Sequence, residues 1–236
     1  MKLGVNVDHA ATLRNARGTT YPDPVLCAML CEAAGADSIV MHLREDRRHI
    51  KERDLVLLKR AVKIPINLEM AANEEIVAFA LKYKPFQATL VPERRQELTT
   101  EGGLDLIKNF KKVYAVTRRL QDKGIKVSLF IDPTLKQVEF ARKIGAEHIE
   151  FHTGSYCDAK TTAVKKKELK KLKQAAALAQ DSGFFVAAGH GINYENTKDI
   201  IAIKAIEELN IGHSIISRAL YVGLPAAVKE MLGLIR

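Results

Sequence analysis

The 236-residue sequence predicts a (β/α)8 TIM barrel, an α/β fold laid out as one domain over residues 1–236 with short extra helical segments. Three observations lead there. Short β-rich apolar runs alternate with helical patterns from one end of the chain to the other. The ends of those runs advance in seven steps of about 29 residues, near the size of a βαβ repeat. No Gly/Ser-rich linker, charge block or shift of composition interrupts the series. Eight parallel repeats could also build a long doubly wound sheet. However, no Gly-x-Gly-x-x-Gly follows the first run, so a dinucleotide-binding sheet loses ground.

The elements follow in order. A first strand over residues 3–8 leads into a long loop that carries Arg14 and Arg17, and a helix is expected at 24–34. Gly35 stops that helix just before a strand at 38–42. Amphipathic segments at 53–62 and 74–82 flank a strand at 65–69, and a strand at 88–92 precedes a longer helix at 104–122. Gly124 and Gly145 punctuate the next repeats, with strands at 127–132 and 148–152 around a helix at 135–144. A long Ala/Leu/Lys-rich helix at 159–182 ends at Gly183. Strands at 185–190 and 208–212 enclose a helix at 195–204, and a last helix covers 218–232.

Composition narrows the functional classes. The hydrophobic share is 47% and the charged share 28%, so the chain can bury a large core and is neither disordered nor fibrous. No stretch approaches 18 apolar residues, and Asp8 with His9 breaks the N-terminal run, so neither a membrane span nor a secretory signal is expected. Cys27, Cys31 and Cys157 are too few and odd in number for a disulfide framework. Cys27 and Cys31 read as buried thiols on one helix, and a cytoplasmic location follows as the expectation. The net charge of +9 owes much to residues 165–173 (KKKELKKLK), which read as the solvated face of the long helix. Nucleic-acid binding is disfavoured because aromatic residues do not interleave with these lysines and Trp is absent.

A barrel of this class gathers its chemistry at the C-terminal ends of its strands. Those ends carry Asn6, Asp8 and His9, then His42 and Arg44, Glu69, Glu93 and Arg94, Asp132, Glu150 and His152, His190, and His213. Burying such a ring without partners would cost a few kcal/mol per group, so one face dense in ionisable residues reads as an active site. Gly189 and Gly191 after the seventh strand, and Gly212 after the eighth, stand where barrels commonly hold phosphate on backbone N–H groups. A second anion site is suggested by residues 42–49, although Glu45, Asp46 and Glu52 are expected to pair with at least one of these arginines. His42, Glu69, Glu150, His152 and His190 are the acid–base candidates, in surroundings expected to be apolar enough to raise the carboxyl pKa values. The same residue types on neighbouring strands also build divalent-cation sites, and spacing does not separate the two readings. No lysine sits at a strand end, so imine chemistry would need an amine from a substrate.

Taken together the strand-end motifs resemble the pyridoxine 5′-phosphate synthase family. The resemblance is carried by VNVDHAATLRNARG (5–18), YPDP (21–24), HLREDRRH (42–49), NLEMA (67–71) and VPERRQELTTEGG (91–103). It continues through SLFIDP (128–133), EFHTGSY (150–156), GHGINYEN (189–196) and ELNIGHSIISRA (208–219), covering essentially the whole chain. It implies condensation of 1-deoxy-D-xylulose 5-phosphate with 3-amino-2-oxopropyl phosphate. By position, His42 and Glu69 match the family's proton acceptors, His190 its proton donor and Glu150 its transition-state stabiliser. Asn6, Arg17, Gly191, Gly212 and His213 match the aminooxopropyl-phosphate site. Asp8, His9, Arg44, His49 and Thr99 match the deoxyxylulose-phosphate site. The resemblance further implies no metal or organic cofactor, two phosphorylated small-molecule substrates and an octamer of barrels, with no part for nucleic acid or membrane.

Overall fold

The computed structural model describes residues 1–93 and 102–236. Strands β1 (Lys2–Asn6), β2 (Ser38–His42), β3 (Ile66–Met70), β4 (Gln87–Leu90), β5 (Lys126–Ile131), β6 (His148–His152), β7 (Phe185–Gly189) and β8 (Glu208–Ile211) pair in parallel, each with the next. Val5 lies opposite Ile39 on one side and Ile211 on the other, so β8 returns to β1 and the barrel is closed. The (β/α)8 expectation is met, with strand boundaries displaced by one or two residues in most cases.

Helices α1 (Asp8–Arg17), α2 (Pro24–Ala34), α3 (Glu52–Ala61), α4 (Glu74–Tyr83), α5 (Phe110–Gln121), α6 (Leu135–Ile144), α7 (Gly154–Cys157), α8 (Thr162–Asp181), α9 (Thr197–Ile201), α10 (His213–Val222) and α11 (Leu224–Ile235) lie between and after the strands. Their starts are chemically marked. Asp23, Asn73, Thr134 and Thr161 each accept a backbone N–H from the first turn of α2, α4, α6 and α8. Gly35, Gly124, Gly145 and Gly183 all take positive φ, as their placement between helix and strand suggested.

Three expectations change. Residues 8–17 form a helix rather than a loop, because Ala10 and Ala11 face the core and Asp8 sits at the positive end of the helix dipole. The helix expected at 104–122 begins only at Phe110. The C-terminal helix is two, divided at Gly223 (φ 82°) with Pro225 in the first turn of α11.

Parallel strands are buried on both faces. Leu3, Val5, Ile39, Met41, Leu68 and Met70 point outward, fully buried or nearly so beneath the helices, each contributing about 1.5–3 kcal/mol by burial. Their neighbours in the alternation point into the barrel, and apart from Gly4 and Val40 most of them are polar. Thr89 donates to Asn67 at 2.7 Å, and Asn210 on β8 donates to Glu150 on β6 at 2.7 Å, reaching past β7. Gly189 on β7 leaves the room, since a Cβ there would stand 2.2 Å from Glu150 Oε1. The carboxylates are buried as expected, with some polar partners beside them. Among the described residues no helix is long and apolar enough to cross a membrane.

Candidate active site

The closed barrel brings most of the expected ring to one mouth. Asn6, His42, Glu69 and Glu150 lie on β1, β2, β3 and β6, while Asp8 and His9 open α1. His190 and Gly191 follow β7, and Gly212 and His213 start α10. Arg44 and His49 lie in the β2–α3 loop. Arg17 is exposed on the last turn of α1. Thr99 and Arg94 fall in residues 94–101, outside the described residues.

The acidic corner is built by short contacts. Asn6 Nδ2 donates to Asp8 Oδ2 at 3.0 Å and reaches Glu69 Oε2 at 3.5 Å, while the Asp8 backbone N–H donates to Asn6 Oδ1 at 2.8 Å. Asp8 Oδ1 accepts the His42 backbone N–H at 2.8 Å, locking β2 to α1. Burial, then the charges of Glu150 and Asp8, push the Glu69 carboxyl well above its ordinary value. Glu150 is pushed up to about 8, mainly by burial, with the Asn210 hydrogen bond opposing and Glu208 adding. Two buried carboxyls on β3 and β6 therefore hold protons unusually tightly, which suits groups that exchange them.

His42 Nε2 lies 2.9 Å from Glu93 Oε1, and Glu93 Oε2 accepts the Glu45 backbone N–H at 3.0 Å. Burial works to raise Glu93, but the His42 hydrogen bond and charge bring it below the usual range. An ionised Glu93 accepts from His42 Nε2–H and so fixes that ring's tautomer. His49 Nδ1 accepts the Ile50 backbone N–H at 2.9 Å, leaving its Nε2 to carry the proton. His9 and His213 meet edge to face, with ring centroids 4.9 Å apart. Burial lowers the pKa of both His9 and His49.

The basic loop divides as the sequence suggested. Arg47 pairs with Glu52 at 2.7 Å and with Glu75, and Arg48 pairs with Asp46 at 2.7 Å. Burial alone would raise Asp46, yet Arg48 and Arg44 draw it down to about 2. Arg44 is buried, with its Nε 3.5 Å from Asp46. Arg14 is removed from the anion-binding candidates. It is buried, makes two 2.8 Å hydrogen bonds to Asp54, and donates to the His49 carbonyl at 3.0 Å. Its function here is to hold the loop. Opposite, α10 runs ten residues from His213 with no side chain capping its first turn, which leaves N–H groups of the kind that suit an anion.

Asp8, His42 and Glu69 each offer one donor atom within 4.8 Å of the others, a spacing that a divalent ion could use. Asp8 already accepts two hydrogen bonds and His42 Nε2 is engaged with Glu93, so much of this donor set has other work. Sequence reasoning did not pair Glu93 with His42, and it missed Asn210 beside Glu150.

A family model described as "Pyridoxal phosphate biosynthesis protein PdxJ" matches residues 3–236. The chain is 56% identical over 235 residues to the pyridoxine 5′-phosphate synthase of Pelobacter propionicus, covering 100% of this chain and 98% of the relative. It is 54% identical to the protein of the same name from Geobacter metallireducens, with the same coverage. Among solved structures it superposes on phosphoribosyl anthranilate isomerase from Thermus thermophilus with a TM-score of 0.64 at 15% identity, covering 100% of this chain and 98% of that one. Thiamine phosphate pyrophosphorylase from Pyrococcus furiosus gives 0.65 at 15% identity, over 99% and 95% of the two chains. At that identity the two structures speak for the barrel alone.

Proposed function

The chain belongs to the PdxJ family and is an enzyme of pyridoxine 5′-phosphate synthesis, and on that premise we propose that it condenses 1-deoxy-D-xylulose 5-phosphate with 3-amino-2-oxopropyl phosphate. The products are pyridoxine 5′-phosphate, inorganic phosphate and water. The substrate amine forms an imine with the pentulose ketone, and Glu69 takes a carbon-bound proton to give an enamine. Phosphate leaves the pentulose, water adds, and the ring closes on the second carbonyl. His42 acts as a second proton acceptor and His190 as the proton donor in the dehydrations. Glu150, as a neutral acid, donates a hydrogen bond to developing negative charge. Holding both substrates in one cleft contributes several kcal/mol, on the order of 7–11 at best, by removing a bimolecular encounter.

The observation that carries this reading is the position of Glu69, at the barrel mouth beside Asp8 and Asn6, with its proton affinity raised chiefly by burial and further by the acidic groups beside it. A base so placed is strong enough to take a proton next to a carbonyl or imine. Asn6, Arg17, Gly191, Gly212 and His213 would hold the aminooxopropyl phosphate. Asp8, His9, Arg44, His49 and Thr99 would hold the pentulose phosphate. No metal or organic cofactor enters the scheme. Exposed Leu13 on α1, Tyr21 beyond it, and Leu220 and Tyr221 on α10 support a homo-oligomer, proposed as an octamer in the cytoplasm.

The test is incubation of pure protein with both phosphates, following pyridine-ring absorbance and phosphate release together. Chromophore and phosphate rising in equal amounts is the expected result. Phosphate release without a chromophore, or no reaction, would overturn the proposal.

A further inference from the structure

Three adjacent strands end in groups that the scheme above uses only in part. Asp132 follows β5, His152 ends β6 and His190 follows β7. His152 is buried, and its Nδ1 lies 3.4 Å from Asp132 Oδ1. Asp132 Oδ1 also accepts the Gly103 backbone N–H at 2.9 Å, so the carboxylate is itself held. With the ring proton on Nδ1 facing this carboxylate, Nε2 becomes a bare acceptor. Among the described residues that buried Nε2 has no hydrogen-bond partner.

The His190 ring lies beside it, centroids 4.8 Å apart and planes at 48°. Gly154 permits the approach, since a Cβ there would stand 2.7 Å from His152 Nε2 and 3.2 Å from His190 Cδ2. Phe130 closes the corner edge-on, 5.4 Å from the His152 ring. The His190 backbone is left-handed at φ 77°, an unusual state for a residue with a Cβ. Thr153 holds it there, with its hydroxyl 2.8 Å from the Gly189 carbonyl and 2.5 Å from that of His190, and the Cys157 thiol adds a contact at 3.6 Å.

We propose that Asp132 and His152 are positioning residues for His190: the carboxylate fixes the His152 ring, and the face of that ring, packed against His190, braces it in the orientation from which it donates its proton. The inference rests on the reading that makes His190 the donor. The two rings share one desolvated corner. His190 is pushed down to about 4 by burial and then by His152, with Asp158 opposing. Among the described residues, His152 and Asp158 are the ionisable side chains that act on His190, Asp132 reaches it only through His152, and the Cys157 thiol lies against its carbonyl.

The test uses His152→Gln and Asp132→Asn in the full-length enzyme, with kcat, both KM values, the pH profile and the His190 ring titration by NMR. Both variants are expected to lose roughly 10²-fold in kcat, the cost of a misplaced reacting group, with each KM changed less than about threefold. In His152→Gln the His190 midpoint moves upward, because a neighbouring imidazole is gone. Should His152→Gln fail to fold, Asp132→Asn, whose side chain is half exposed, carries the test through kcat and pH profile. Unchanged kcat in both variants overturns the proposal. So does a kcat loss with a parallel rise in KM and an unmoved His190 midpoint, which is what general disorder would give. If the wild type makes no pyridoxine phosphate, the functional reading fails, while the His190 titration still decides whether the rings are coupled.

Discussion

Replacing Glu69 by Gln separates its chemistry from its structure. The change keeps the side chain's shape and removes the base. Its contact with Asn6 is long, at 3.5 Å, so an amide loses little there. Burial, and then the neighbouring acids, disfavour an ionised carboxylate at this position, so an uncharged side chain should leave stability unchanged or slightly raised at neutral pH. Turnover should fall by roughly 10²–10⁴, the usual worth of a general base, or about 3–5 kcal/mol in the activation barrier. The assay follows ring absorbance and phosphate release, with calorimetric titration of each substrate and a melting curve. Affinities within about threefold of wild type and an unchanged melting temperature would place the loss in the chemical step. Near-normal turnover would refute the reasoning and leave Glu69 a structural hydrogen-bonding group.

The other outcomes concern protons, metals and anions. Glu150 is raised from 4.5 to about 8, so the folded state holds its proton more tightly, and the stability this contributes is complete below the unfolded value and is lost as pH rises through 8. Glu150→Gln should flatten the fall in melting temperature between those pH values, and identical slopes would show that Glu150 is already ionised in the folded protein. Turnover should survive exhaustive chelation; activity lost to a chelator and restored by a divalent ion would instead assign Asp8, His42 and Glu69 to a metal. Arg44→Ala removes charge-assisted hydrogen bonds worth about 1.5–3 kcal/mol and should weaken chiefly the pentulose phosphate, roughly ten- to a hundredfold. Gly212→Ala brings a Cβ to 3.0 Å from that of Asn6 and should weaken chiefly the aminooxopropyl phosphate, and equal losses of both ligands in both variants would end the idea of separate pockets.

The barrel was legible because each repeat writes the same physics. A strand buried on both faces needs an apolar run, and the returning helix needs a stripe and a stop, which Gly35 and Gly145 supply. The misreadings fall where the site borrows residues from a helix. Asp8 reads as the end of a strand and Arg14 and Arg17 as loop, yet all three ride on α1 because Ala10 and Ala11 bury its other side. His213 likewise begins α10, five residues before the start expected for the last helix.

The site was legible by residue but not by pair. Strand ends locate His42, Glu69, Glu150 and His190 on one face, since a parallel barrel admits only one mouth for them. What each touches depends on contacts across the chain: Glu93 is 51 residues from His42, Asn210 is 60 from Glu150, and Asp54 is 40 from Arg14. No local pattern encodes such partners. One signal was available, however. Residues 66–70 alternate Ile66, Asn67, Leu68, Glu69, Met70, and in a closed barrel both faces of a strand are covered. Asn67 and Glu69 therefore had to face the lumen, where a carboxylate requires polar company. The same alternation in β6 and β8 places Glu150 and Asn210 inside together, so the polar interior that tunes the acids follows from period two and closure alone.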